Sequence, residues 1–111
     1  MADFAAAISK LCAAHDSITG ATFADLDGSE IALEPKSRKE NLRACSAFAG
    51  IALRRMAKHA QALTLTATKG SMIGVRVGDG YQLVITVRAG AATADVCAAA
   101  RSTARELKAG I

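Results

Sequence analysis

Apolar side chains recur along this chain with two different periods, and the switches between them mark out its elements. Phe4, Ile8, Leu11 and Cys12 fall on one face at helical spacing, and Asp3 stands where it can cap that helix. Ile18-Thr19-Gly20 breaks the period. From Ala21 the pattern alternates: ATFADL, then Asp27-Gly28, then SEIALE, which reads as strand, tight turn and returning strand. Pro35 closes the second strand. Ser37 to Glu40 (SRKE) has the form of a capping box, opening a long second helix that the pattern carries to about Gln61. Three further strands follow, ALTLTATK, SMIGVRV and YQLVITV, punctuated by Gly70 and by Gly78 to Gly80. Val96, Ala100, Thr103, Ala104 and Leu107 then line one side of a last helix, with Arg105 and Lys108 in its final turn and Gly110 as its C-cap.

The predicted order is α-ββ-α-βββ-α, an α+β fold. Every strand connection except the crossover through the second helix is of hairpin length, so the sheet should be antiparallel. Val84 beside Leu83 and Ile85 makes the central strands apolar on both faces, which suits helices on both sides. With 111 residues and no linker or repeat, the expectation is one domain over residues 1–111. The core should be thin: 51% of residues are hydrophobic, but 26 of the 111 are alanine, which buries little area. A partner copy would complete the packing.

The second helix and the third strand are the places where that copy is expected. At 100° per residue Leu42, Cys45, Phe48, Ala49, Ala52, Leu53 and Met56 form the arc expected on the sheet. Lys39, Arg43, Ser46, Gly50, Arg54 and Gln61 fall opposite. A mid-helix glycine costs about 1 kcal/mol relative to alanine, and Gly50 with Ser46 four residues earlier permits close helix–helix approach, so the two are expected where twin helices cross. Leu63, Leu65 and Ala67 alternate with Thr64, Thr66 and Thr68 in a stretch with no charge or proline to guard an edge. Two such strands would pair antiparallel. Glu30, Glu34 and Pro35 guard the second strand. Arg43, Arg54, Arg55 and Lys58, with Ile51 as an apolar spot beside them, would then line a basic surface for a partner.

Candidate chemistry is sparse. Asp25 and Asp27 before Gly28-Ser29 resemble the nucleophile motif of haloacid-dehalogenase phosphatases. That chemistry also needs a second acidic pair for magnesium, and the later acids Glu34, Glu40, Asp79, Asp95 and Glu106 are isolated. The stretch therefore reads as a turn. A calcium loop fails on the position of its glycine, and KGS at Lys69 to Ser71 has the letters of a phosphate loop in the wrong order. Cys12 and His15 have ligand spacing but no second pair, and neither His15 nor His59 has a serine and an acid in catalytic order. The expectation is a protein that is not an enzyme, with no metal and no cofactor. Three scattered cysteines read as buried thiols in a reducing cytoplasm. MADFAAAISK lacks the regions of a signal peptide, and no apolar run reaches the roughly 18 residues of a membrane span. A cytoplasmic protein without membrane contact is expected.

Charge adds an asymmetry to a net +4. Residues 1–34 set Lys10 against six carboxylates, whereas the remainder sets thirteen cations against four. Such a basic block suits an acidic partner surface as well as it suits a solvated helix face. The pI of about 9.3 keeps a nucleic-acid-binding module among the alternatives, against which the second helix carries no interleaved aromatics and no recognised motif. A small-molecule sensor of the PAS or GAF type is the other alternative. It needs a cavity, and Phe4, Phe23, Phe48 and Tyr81 are few walls for one.

The hairpin GATFADLDGSEIAL, the spacing from ACSAFAGIALRRMA to YQLVITV, the glycine-punctuated meander and the closing amphipathic helix resemble the roadblock / dynein light chain family over nearly the whole chain. The resemblance implies a roadblock/profilin-like five-stranded antiparallel sheet ordered 2-1-5-4-3, with helix 2 on one face and helices 1 and 3 on the other. It implies dimers joined through the third strand and second helix, with a second copy or another roadblock protein. It also implies that the partner is a Ras-like small GTPase, bound by a scaffold or by a regulator of its hydrolysis. Alanine and arginine usage looks bacterial, and the bacterial members that the resemblance points to are of the MglB type.

Overall fold

The computed structural model describes residues 3–56 and 58–111. Along the chain run α1 (Phe4–Ala14), β1 (Ile18–Asp25), β2 (Glu30–Glu34), a 3₁₀ turn (Lys36–Arg38), α2 (Lys39–Arg55), β3 (Ala62–Ala67), β4 (Gly70–Val77), β5 (Tyr81–Val87) and α3 (Ala94–Ala109). The five strands form one sheet in the order β2-β1-β5-β4-β3, antiparallel at every junction. This is the expected order. β5, the last strand made, lies between β1 and β4, so the meander of β3, β4 and β5 joins the first hairpin through a pairing distant in sequence.

The two faces are filled differently. Under α1 and α3 lies an apolar layer that includes Ile8, Leu11, Phe23, Ile73, Leu83, Ile85 and Leu107. Phe23 is fully enclosed and packs between Phe4 and Tyr81, with ring centroids 5.0 and 5.7 Å away. Under α2 the apolar cluster shrinks to Ala49, Met72 and Val84, with Cys45 and Leu63 at its margin. The rest of this face of the sheet presents polar or small groups: Thr22, Gln82 and Thr86 are all buried there, and Gly74 lies beneath Ala49. A helix laid on such a surface can come close.

Local signals hold at several element ends. Asp3 caps α1, its Oδ1 accepting from Ala6 N at 2.9 Å. Thr93 caps α3 through Val96 N. Gly110 is the α3 C-cap, but at φ −91° rather than in the left-handed region. Three expectations need correction. Ser37 to Glu40 forms no capping box, because Pro35 starts a 3₁₀ turn and α2 begins after Arg38 with no side-chain cap. α2 ends at Arg55, short of Gln61, where Arg76 Nη2 donates to Leu53 O and its Nε to Ala60 O at 2.9 Å, fixing the chain as it turns towards β3. Thr68 lies in the turn after β3, beyond the paired strand.

Candidate protein-docking surface

The Asp25-to-Ser29 stretch is a turn, and its atoms are committed to being one. Asp25 Oδ1 accepts from Asp27 N and Ser29 N, both at 2.9 Å, and Gly28 takes φ +91°. β1 lies between antiparallel neighbours on both sides, so the parallel sheet of a dehalogenase-type phosphatase is not present.

This turn leans on α2, and that contact sets which way the helix faces. Gly28 sits against the backbone of Ala47. A Cβ on Gly50 would overlap the Leu26 carbonyl oxygen and lie 2.9 Å from its carbon. From β5, Gln82 Nε2 donates to Asp25 O at 2.9 Å and to Ser46 O at 2.8 Å, tying strand, hairpin and helix together in the buried interior. Leu42, Ser46, Ala49, Gly50 and Leu53 are therefore the buried side of α2. Ser46 and Gly50 do not stand at an outward crossing point, as their spacing suggested. Their smallness serves close approach, but to the chain's own hairpin.

With small residues inside, the large ones turn outward. Phe48 is 52% exposed and Ile51 49%. Ala44, Phe48, Ile51 and Arg55 recur at steps of four, three and four, forming one exposed stripe along α2. The pattern of hydrophobicity had placed Phe48 on the sheet. Beside the stripe runs the free edge of β3, paired only with β4, where Leu63 is half-buried and Thr64, Leu65, Thr66 and Ala67 are exposed. Leu65 is 49% exposed, and with Ala44, Cys45 and Phe48 it borders a groove of about 580 Å³. Among the described residues, Phe48, Ile51 and Leu65 thus bring three large exposed apolar groups to one side of the molecule.

The basic residues divide into two kinds. Arg43 Nη2 lies 2.6 Å from Glu30 Oε1, and Arg54 Nη1 lies 2.7 Å from Asp27 Oδ1. Both pairs bind α2 to the hairpin at the surface, so these two cations are engaged within the chain. Arg55 and Lys58 are exposed and form no ion pair among the described residues.

No group of three metal-ligating side chains comes together among the described residues. Cys12, Cys45 and Cys97 are unpaired thiols of intermediate burial. Burial, with Glu34 nearby, pushes the Cys12 thiol up to about 11, and burial raises Cys45 against the opposing pull of Arg38. Both are held protonated near neutral pH and are weak nucleophiles. No described helix is long and apolar enough to cross a membrane.

No protein-family model and no curated relative matches the sequence. Solved structures do match in shape. The Roadblock/LC7 domain from Streptomyces avermitilis superposes with a TM-score of 0.80 at 13% identity, over 98% of each chain. Myxococcus xanthus MglB gives 0.79 at 13% identity over 96% of this chain and 92% of its own. Acanthamoeba castellanii profilin IA gives 0.67 at 12% identity over 97% and 98%. At such identities the likeness is one of fold, and this chain has the fold of the Roadblock/LC7 domains.

Proposed function

We propose that the chain is a non-enzymatic adaptor, a homodimer that binds a Ras-like small GTPase. The observation carrying this reading is the exposed stripe of Phe48 and Ile51 on α2 beside the free β3 edge. An exposed edge without charge, next to large apolar groups, is what a folded chain presents when another chain covers it. Twin β3 strands pairing antiparallel through Leu63 to Ala67 would continue the sheet. The two α2 helices would then meet through Ala44, Phe48 and Ile51, the outward residues, rather than through Ser46 and Gly50. The GTPase assignment comes from the roadblock resemblance of the sequence, and the fold likeness to MglB supports it.

Docking would use the basic rim of the paired helices. Arg55 and Lys58 offer unengaged charge. Arg43 and Arg54 hold surface carboxylates in pairs of the kind that contribute only about 0–1 kcal/mol, so an acidic partner surface can replace Glu30 and Asp27 at little cost. Such charges govern steering and register more than affinity.

Two measurements test the reading. Light scattering on wild type should give twice the monomer mass, and Phe48→Glu should give the monomer mass with unchanged far-ultraviolet circular dichroism. A lysate pull-down with GDP and with a non-hydrolysable GTP analogue, read by mass spectrometry, should recover a small GTPase preferentially in one nucleotide state. A monomeric wild type removes the dimer, and absence of any GTPase from both pull-downs removes the partner.

A further inference from the structure

A second surface lies away from the apolar stripe. Where the C-terminal end of α2, the β4–β5 turn and the C-terminal half of α3 converge, they enclose a cleft of about 920 Å³. Arg54, Lys58, Arg76, Arg101, Arg105 and Lys108 line it, against Asp79 as the one carboxylate among the lining residues. Six of the chain's fourteen lysines and arginines are thus gathered on one concavity.

The arrangement is more than a solvated helix face. Arg101, Arg105 and Lys108 follow one another at steps of four and three, so α3 presents all three on one side. Like charges four residues apart destabilise a helix. Among the described residues none of these three is ion-paired, although Glu106 on the same helix is paired with Lys10 instead. Arg76 lines the cleft from the α2 face of the sheet, half-buried and held by the carbonyls of Leu53 and Ala60, which fixes its guanidinium in advance. An anion arriving beside Arg101, Arg105 and Lys108 relieves a repulsion already present, with Arg76 as a fixed cation at the other wall.

We infer that this cleft binds a ligand bearing several phosphate groups. Four of its six cations are arginines, whose planar forks match phosphate oxygens in bidentate fashion. Its size falls at the upper end of small-molecule sites, roughly 300–1,000 Å³. No lining residue is aromatic, so bases have nothing to stack on, and single-stranded nucleic acid is disfavoured. The same chemistry is offered by a soluble oligophosphate and by a polyphosphorylated lipid headgroup. Arg54 and Lys58 are shared with the proposed docking rim, but Arg76 and the α3 cations lie outside both proposed contacts, so the inference does not rest on the dimer or on a GTPase.

The test is calorimetric titration of the full chain with tripolyphosphate at fixed salt, beside sedimentation with phosphatidylcholine vesicles with and without phosphatidylinositol bisphosphate. Arg101→Gln with Arg105→Gln is the cleft variant. Lys36→Gln with Lys39→Gln is its control, removing the same charge from exposed positions that line neither groove. Saturable binding of tripolyphosphate, weakened about tenfold or more in the cleft variant and little in the control, is expected. Retention on the phosphoinositide vesicles as well would identify a headgroup as the source, and titration without retention a soluble ligand. Equal loss in the two variants means diffuse attraction by net charge and overturns the site. So does failure to bind either probe.

Discussion

Replacing Gly50 with alanine separates the geometry described above from what helix propensity dictates. In an exposed helix interior the change should stabilise by about 1 kcal/mol. Here the new Cβ would overlap Leu26 O, a backbone atom, and the hairpin carrying that carbonyl is held by Gln82 and by the Asp25 turn. Neither side yields easily, so the cost belongs at the upper end of the roughly 1–3 kcal/mol of overpacking. Subtracting the propensity gain leaves a net loss of about 1–2 kcal/mol. At this chain length that lowers Tm by roughly 4–10 °C. Gly80→Ala is the matched control: nothing lies within 4 Å of its would-be Cβ and its φ is not positive. It should gain about 0.4–1 kcal/mol from a stiffer unfolded chain. Thermal melts followed by circular dichroism, at two protein concentrations well apart, would measure both. The Gly50→Ala loss should persist at every concentration, because it arises within one chain. A Tm at or above wild type would refute the inward placement of Gly50. A loss confined to dilute protein would return it to a helix crossing between copies.

Phe48→Ala tests the same orientation from outside: at an exposed position it should change monomer stability by no more than about 0.5 kcal/mol, against the 3–5 kcal/mol of a core phenylalanine, by urea denaturation of dilute protein. Gln82→Leu removes both donors to Asp25 O and Ser46 O and leaves those carbonyls buried without them. A destabilisation of about 2–4 kcal/mol follows, read from the urea midpoint. Cys12 has a raised pKa in the folded chain, so its contribution is fully present below pH 9 and is lost as pH rises towards 11. Stability should fall across that interval in wild type and fall less in Cys12→Ala, followed by urea midpoints at stepped pH. Backbone amides of β3 should exchange more slowly with deuterium at high than at low protein concentration, and equal rates would leave the edge unpaired.

Most of the architecture was legible because it rests on periodicity. Alternation located β4 and β5, whose bounds at Gly70–Val77 and Tyr81–Val87 match the apolar runs closely. Asp3 and the Asp27-Gly28 turn act through bonds to their own neighbours, which a sequence displays. The orientation of α2 was not legible in the same way. Ranking its positions by hydrophobicity puts Phe48 inside and Ser46 and Gly50 outside, whereas the contact with the hairpin selects for small volume. A glycine four residues from a serine reads as a close approach between helices, whereas here the chain's own hairpin approaches, which depends on residues 26 and 82, far away in sequence. Gln82 carried no local signal beyond being a polar residue in an apolar strand. Arg105 and Lys108 were legible as the basic last turn of α3, but that they and Arg76 line one cleft arises only from the fold.

The bonds of Gln82 also constrain how the chain reaches its folded state. Its two acceptors lie 57 and 36 residues away in sequence, so neither is brought near by local structure. The amide has both partners in place only after β5 has paired with β1 and α2 has settled beneath the hairpin. Such distant closures come late, since loop entropy must be overcome before the contact forms. The seating of α2 and the closing of the sheet are thus tied to one side chain. Losing that amide would loosen the polar face under α2 while the larger Phe23 layer under α1 and α3 keeps its own apolar contacts.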